Sequence, residues 1–313
     1  MLLKLIKQKF QRNISVYGIW AILIVPYNWL HRSIKKIPDK ILIKWVKKMP
    51  YQYGLYVGEE RAEKIIVSVT SYEKRFSILP LCLKSILLQS VKADRILVWL
   101  TESDFSKITK EMRKLEKYGI EYRVASDDIK PHKKYYYAMQ EFPTDAVITI
   151  DDDLVYSKYM ISSLIKVHKK YERAICARRV HKMQWKKNGE LRPYLEWRFE
   201  VNERKGASYE LLATSGAGTL FPASCLSNQA FNIDLIRKLC CDADDIWLKF
   251  MSFQKEVPVV WVPCYFSMPA VIEDSQEEAL AKLNVNECKN DVYIKNLLEH
   301  FQMVGNEFKK NVS

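Results

Sequence analysis

Residues 146–153 read AVITIDDD. A short run that reads as a buried strand leads directly into three carboxylates, Asp151, Asp152 and Asp153. The carboxyl end of a strand is where open α/β sheets bind ligands. Adjacent acids repel: two unit charges ~4 Å apart cost roughly 4 kcal/mol at an effective dielectric of ~20. A divalent cation relieves that repulsion, and hard cations such as Mg²⁺ take carboxylate oxygen. The stretch therefore predicts a strand that ends in the metal site of a nucleotide-using enzyme. The alternative is a strand-to-helix turn whose acids cap the following helix, residues 157–170, SKYMISSLIKVHKK.

Upstream of this stretch, short β-rich runs alternate with helical ones. Residues 65–69 (IIVSV), 95–100 (RILVWL) and 120–125 (IEYRVA) read as strands. Between them lie helical patterns at 77–90, 109–119 and 133–142, with Pro80 tolerable in a first turn and Gly119 as a stop. Strands separated by helices predict parallel pairing with right-handed crossovers. No strand is followed by G-x-G-x-x-G or G-x-x-x-x-G-K-[ST], so the dinucleotide and P-loop phosphate cradles are excluded. Downstream, residues 174–178 (AICAR) and 257–263 (VPVVWVP) read as strands and 244–251 (DDIWLKFM) as a short helix. An NG turn at Asn188–Gly189 predicts a hairpin within 181–199, and 274–303 reads as two amphipathic helices.

Charge is unevenly placed. The net charge is +13 over 313 residues. Residues 1–48 carry eleven Lys and Arg against one acid, Asp39, so the remaining chain is nearly balanced. A nucleic-acid binder concentrates basic charge on its folded domain. An N-terminal concentration suits an anionic membrane surface instead, the cytoplasmic leaflet being one, and nucleic acid is not expected as a partner. Ile14–Leu30 is apolar but only 17 residues long, short of the ~20 of a spanning helix. It reads as a single N-terminal anchor at most. In residues 37–49, Ile41, Leu42, Trp45, Val46 and Met49 share one helical face, with Lys40, Lys44 and Lys47 opposite. That is the pattern of a helix lying in a membrane interface, or of one packed on its own domain. Seven cysteines without C-x-x-C spacing read as reduced, buried thiols.

These pieces, in this order, resemble the GT-A nucleotide-sugar glycosyltransferases, specifically the family 2-like enzymes of bacterial surface and capsular polysaccharide synthesis. The resemblance covers about residues 62–265. It implies a Rossmann-like, mostly parallel central sheet flanked by helices, with a basic amphipathic arm at 1–60, a catalytic domain at 61–270 and C-terminal helices at 271–313. Within the catalytic domain, 61–155 would bind the nucleotide and 156–270 the acceptor.

The resemblance also implies roles. VSVTSYEKR (67–75) resembles the family's donor-binding turn, which assigns Thr70, Ser71, Tyr72 and Arg75 to the nucleotide; Thr70 stands where the family has proline and Glu73 where it has asparagine. IDDDL (150–154) is similar to the Asp-x-Asp motif. This gives Asp151 and Asp153 to Mn²⁺ or Mg²⁺, and Asp151 or Asp152 to the ribose side. TSGAGTLFP (214–222) resembles the glycine-rich acceptor loop, with Gly216 and Gly218 and, further on, Trp247 near the acceptor. DADDIW (242–247) resembles the motif that carries the general base, Asp245 or Asp244. Lys133 or Lys134 would approach the diphosphate. His132 and His181 are candidates for a third metal ligand or the acceptor site, and Trp185, Tyr194 and Trp197 for stacking on a sugar or for core packing. One departure stands out: the family's uracil-reading aspartate at the end of the second strand is replaced by Leu100 and Thr101, with Glu102 or Asp104 as substitutes.

The activity so implied is inverting, metal-dependent transfer of a sugar from a nucleotide sugar, UDP-linked by first choice, to a glycan or lipid-linked glycan at the cytoplasmic face of a membrane. A two-metal nucleotidyl or phosphoryl transferase built on the same acids, and a non-catalytic membrane scaffold, are the alternatives.

Overall fold

The computed structural model describes residues 39–202, 206–264, 267–272, 289–310 and 312. The chain divides into two compact units, residues 1–48 and 49–313. In the first, residues 39–48 are helical and Ile41 stands 64% exposed. The apolar run at 14–30 lies outside the described residues. Among the described residues, no helix is long and apolar enough to cross a membrane.

The second unit is built on a seven-stranded sheet. Its strands are β1 (Ile65–Thr70), β2 (Arg95–Thr101), β3 (Ile120–Ala125), β4 (Ala146–Thr149), β6 (Ile175–Ala177), β9 (Thr219–Phe221) and β10 (Val259–Trp261). Two short pairs complete the count: β5 (Leu154–Val155) with β11 (Ala270–Val271), and β7 (Val180–Lys182) with β8 (Leu211–Ala213), both antiparallel. Across the large sheet the order is β10-β6-β9-β4-β1-β2-β3. Strands β1 to β4 are mutually parallel, as the alternating pattern requires. Strand β9 runs antiparallel to both β4 and β6, so the sheet is mixed.

Both faces of the sheet are covered, and strand alternation assigns residues to them. Ile65, Val67 and Val69 of β1, with Ile148 and Ile150 at β4, pack against α1 (Leu79–Leu87) and α4 (Met160–His168). Ile66, Leu97, Trp99 and Val147 point the other way, onto Ala138 of α3 (Lys133–Glu141). Further along that second face, Ile175, Ala177 and Phe221 meet Ile246, Trp247 and Phe250 of α6 (Asp244–Gln254). The remaining helices are α2 (Lys110–Glu116), α5 (Ile233–Leu239) and α7 (Lys289–His300), besides a single turn at Glu102–Phe105.

Three expectations need correction. The break at residue 60 falls instead at 48/49, because residues 49–60 are bonded into the second unit: Gly54 N–H donates to Tyr118 O and Tyr56 N–H to Ala93 O, each at 2.8 Å. The segment expected as C-terminal helices from 271 also holds strand: β11 pairs with β5, and both Leu297 and Phe308 are fully buried in the second core. Of the two tail helices only α7 lies within the described residues; residues 273–288 lie outside them. Finally, the small-residue stretch 213–222 supplies β9, a strand that its glycines and short length conceal. The NG turn at Asn188–Gly189 does form, closing a bridge between Trp185 and Leu191 with Gly189 at φ 89°.

One buried charge on α6 has a pH-dependent cost. Lys249 is 3% exposed, donates to Tyr209 O and lies 5.2 Å from the Phe308 ring centroid. Burial pushes its ammonium down to about 7. A lysine depressed in the folded state destabilises the fold most below that value, and the penalty fades as pH rises toward the unfolded value near 10.4. Lys249→Met should therefore raise the thermal denaturation midpoint more at pH 6 than at pH 9. Equal shifts at both pH values would contradict the assignment.

Candidate active site

The ends of β1 and β4, the starts of α3 and α6, and the turn before β9 converge on one cluster. From β1, Ser71 donates through Oγ to Asp152 Oδ2 at 2.6 Å. The 3-10 turn Glu73–Arg75 then brings Arg75 inward, with Nη1 at 2.8 Å from Asp153 Oδ2 and 3.4 Å from Asp152 Oδ1. Arg75 Nε also donates to the Tyr72 hydroxyl at 3.4 Å, and Tyr72 is 36% exposed beside the cluster. Thr70 faces its neighbour strand: Oγ1 donates to Trp99 O at 2.9 Å.

On the other side stands Lys134, 4% exposed, whose Nζ reaches Asp151 Oδ1 at 2.8 Å and Asp244 Oδ2 at 3.0 Å. Lys133 points away and pairs with Asp128. Ser215 closes the ring. Its N–H and Oγ donate to Asp245 Oδ1 at 2.9 and 2.8 Å, and Oγ also lies 3.3 Å from Asp244 Oδ2. Asp151 is fixed from below, where its N–H donates to the Tyr156 hydroxyl at 2.9 Å and that hydroxyl donates to Gly216 O at 2.8 Å. A Cβ on Gly216 would come within 2.4 Å of Asp151 Oδ2 and 2.6 Å of Arg179 Nη2. Only glycine allows the loop, the carboxylate and the guanidinium to approach so closely.

Other expected residues lie elsewhere, for identifiable reasons. Trp247 is fully buried and spends its indole N–H on Ala230 O at 3.3 Å, so it holds α6 in the core and offers no face to an acceptor. Gly218 adopts φ 94° and turns toward Met160 and Leu164 beneath the loop; it shapes the turn and does not face the opening. His132 has both ring nitrogens engaged, with Tyr135 OH at 3.1 Å and Cys240 O at 2.8 Å, and burial pushes it down to about 3. His181 accepts from Glu200 N–H and packs edgewise on Phe199; burial and Arg179 push it down to about 4. Among the described residues, neither histidine belongs to a group of three metal-ligating side chains. Trp185 and Trp197 donate to Gly305 O and Arg192 O, and Tyr194 packs on Trp197. Asp104 is also occupied: Oδ1 accepts from Glu73 N–H at 2.9 Å and Oδ2 from Thr101 Oγ1 at 2.6 Å.

The sequence reading did not single out Arg179, Ser215 or Tyr156. Arg179 follows β6 at its carboxyl end, and its Nε donates to Thr214 Oγ1 at 2.6 Å. Its position two residues past the end of β6 was the available signal, as was the place of Ser215 within the glycine-rich loop.

The electrostatics follow from this arrangement. Burial pushes Asp151 up, but Lys134, Arg179 and Arg75 outweigh it and hold that carboxyl below its usual range. Asp152 goes the other way: burial wins over Arg75 and Ser71, and its acid neighbours add to it, raising it to about 7. Asp245 is likewise pushed to about 7, by burial and by Asp244, against Lys134 and Ser215. When all five carboxylates are ionised they face the three cations Arg75, Lys134 and Arg179, an excess of two negative charges.

The donor set is all oxygen, and Asp153 commits only Oδ2, to Arg75, among the described residues. No three His, Cys, Asp or Glu side chains converge as a ready-made cage among those residues. That fits Mg²⁺ or Mn²⁺, because such ions usually take one or two carboxylates and complete the shell with substrate phosphates and water. Gly216→Ala should force Asp151 and Arg179 apart, at about 1–3 kcal/mol of strain. The expected readout is a lower denaturation midpoint together with weakened Mn²⁺-dependent binding of nucleoside diphosphate by calorimetry. Unchanged binding would place the ligand away from Gly216.

The profile of glycosyl transferase family 2 matches residues 66–226, from β1 through the loop after β9. No curated protein matches the sequence. Among solved structures, the chain is similar to the mannosyltransferase PcManGT from Pyrobaculum calidifontis in complex with GDP-Man and Mn²⁺, with TM-score 0.48, 11% identity, and coverage of 87% of this chain and 74% of that one. The family match spans just over half of the chain and includes both Ser71–Arg75 and Asp151–Asp153. The chain belongs to glycosyl transferase family 2.

Proposed function

We propose that this chain transfers a sugar, with inversion, from a nucleoside diphosphate sugar to a hydroxyl of a glycan or lipid-linked glycan. The observation that carries the reading is the joining of Asp151–Asp153 to Asp244–Asp245 through Lys134 and Ser215, which makes one acid cluster with two charges left to neutralise. A divalent cation held by Asp153, with Asp151 beside it, would supply Lewis-acid neutralisation of the departing diphosphate. Arg75 orients Asp152 and Asp153, and the exposed Tyr72 ring offers a face to the base. Asp245 has Oδ1 fixed by Ser215, which leaves Oδ2 to take the acceptor's proton. A base titrating near 7 is matched to proton abstraction at neutral pH. Where one base acts and no covalent intermediate forms, attack comes from the face away from the nucleotide and the anomeric centre inverts.

UDP is the first choice of nucleotide. Because both oxygens of Asp104 are taken by the turn it caps, the choice between UDP and GDP falls to experiment. A two-metal nucleotidyl transferase fits less well, since Lys134 Nζ already stands between the two acid groups. The basic residues 1–48 support work at the anionic cytoplasmic face of a membrane, where a lipid-linked acceptor would be concentrated.

Wild-type protein incubated with Mn²⁺ and a panel of UDP- and GDP-sugars should release nucleoside diphosphate. Release of pyrophosphate would favour nucleotidyl transfer, and no metal-dependent nucleotide binding would favour a scaffold. Asp245→Asn should retain nucleotide binding and lose about 10²–10⁴-fold in turnover, whereas Asp153→Ala should lose the Mn²⁺-dependent part of binding. Near-normal turnover in Asp245→Asn would remove that residue from the mechanism.

The base must be ionised, so kcat/KM should fall as pH drops below about 7. Ser215→Ala removes a hydrogen bond to the charged form, which should move that limb to higher pH. Protein lacking residues 1–48 should fail to pellet with vesicles containing anionic lipid while keeping transfer to a soluble acceptor. Loss of both would assign the arm to the fold.

A further inference from the structure

We propose that Lys134 is a positioning residue: a buried ammonium shared between the donor-side Asp151 and the first residue of the base helix, Asp244, which locks the two elements together and leaves Asp245 as the carboxylate that receives the acceptor's proton. The inference rests on the transferase reading above and reverses the expectation that this lysine reaches out to the diphosphate.

Three observations carry it. First, Nζ makes its contacts at 2.8 Å to Asp151 and 3.0 Å to Asp244, with the residue 4% exposed. An ammonium so placed points into the protein, between β4 and α6. Second, the backbone that carries it is pinned from the sheet: Ser68 Oγ, buried on the inner face of β1, donates to Lys134 O, and Trp99 Nε1 donates to Ser68 Oγ at 3.1 Å. Third, the two acids at the start of α6 are made inequivalent by it. Asp244 Oδ2 is committed to Lys134, whereas Asp245 is held, among the described residues, through Oδ1 by Ser215. Two neighbouring carboxylates resist ionising together. Burial raises Asp244, and the Lys134 ammonium on its Oδ2 opposes that rise, so of the two acids Asp245 is the one left to take up a proton. Asp245 faces Asp244 on its own helix, Lys134 from α3, Asp151 from the end of β4 and Tyr194 from the turn at Tyr194–Glu196, and Lys249 lines the same small internal cavity.

The test has two arms, both on the full chain. The first needs no substrate. Denaturation midpoints are measured for Lys134→Met, Asp151→Asn, Asp244→Asn and the two double variants that include Lys134→Met. A shared contact makes each double variant lose less than the sum of its singles; additive losses would overturn the proposal. Should Lys134→Met not fold, Lys134→Gln, which also removes the charge, completes the same cycles.

The second arm measures binding of UDP and GDP with Mn²⁺, and hydrolysis of whichever nucleotide sugar the wild type turns over. Lys134→Met should keep the nucleotide Kd within about threefold, lose about 100-fold in kcat through misplacement of the base, and shift the acid limb of kcat/KM upward by about one unit or more. Lys134→Arg should recover part of both losses. A defect carried mainly in nucleotide Kd would make Lys134 a phosphate ligand and overturn the proposal. If the wild type turns over no nucleotide sugar, the transferase reading fails, and the first arm still decides the role of Lys134.

Discussion

The structure depends on one ammonium group holding together carboxylates that would otherwise repel. Lys134 Nζ binds Asp151 from the strand that ends in three acids and Asp244 from the helix that begins with two. Burial works against its charge, but Asp151, Asp244 and Asp245 together hold it above the usual lysine range. A buried ion pair is stabilising only when its geometry is good and its remaining donors are used. Here one cation serves two acids, and Ser215 and Arg75 take up further oxygens of the cluster. With its five acids ionised the site carries two negative charges in excess, the charge that one divalent ion brings.

The sheet explains why these groups meet. Parallel strands β1 and β4 are adjacent and end at the same edge, so the turn carrying Ser71 and Arg75 lies beside Asp152 and Asp153. Strand β9 enters antiparallel between β4 and β6, which places the loop before it, with Ser215 and Gly216, at that same edge. The loop is tied down by Tyr156, whose hydroxyl bonds both Asp151 N–H and Gly216 O. Buried Arg178, donating to Ala217 O and to the carbonyl and hydroxyl oxygens of Ser267, ties the loop to the segment before β11. The groups of the acid cluster thus sit on short connections whose other ends are fixed in the core.

Much of this was legible from residue patterns, because strand burial and acid repulsion are local signals. The run IIVSV and the run AVITI each had to become parallel strands, and both did, pairing Ile65 with Ala146 through Ser68 with Thr149. The paired acids at 244 and 245 opened a helix as expected. What the pattern hid was decided by direction and depth. Nothing in KKYYYAMQEF distinguishes the lysine that turns to Asp128 from the one buried between Asp151 and Asp244. Trp247, two residues after the proposed base, turns into the core because the helix period carries it there. Strand β9 was masked by its glycines, and the end of the sheet at β6 was read without Arg179. These depend on tertiary placement, which single-residue propensity does not carry.

The most direct test of the account is a crystal structure with Mn²⁺ and the nucleoside diphosphate that stabilises the protein most. The account predicts an anomalous manganese peak bound to Asp153 and a diphosphate oxygen, with Lys134 still between Asp151 and Asp244 and Asp245 facing the open side. A structure with the three acids turned to solvent and no manganese beside them, or with Lys134 swung onto the phosphates, would contradict it.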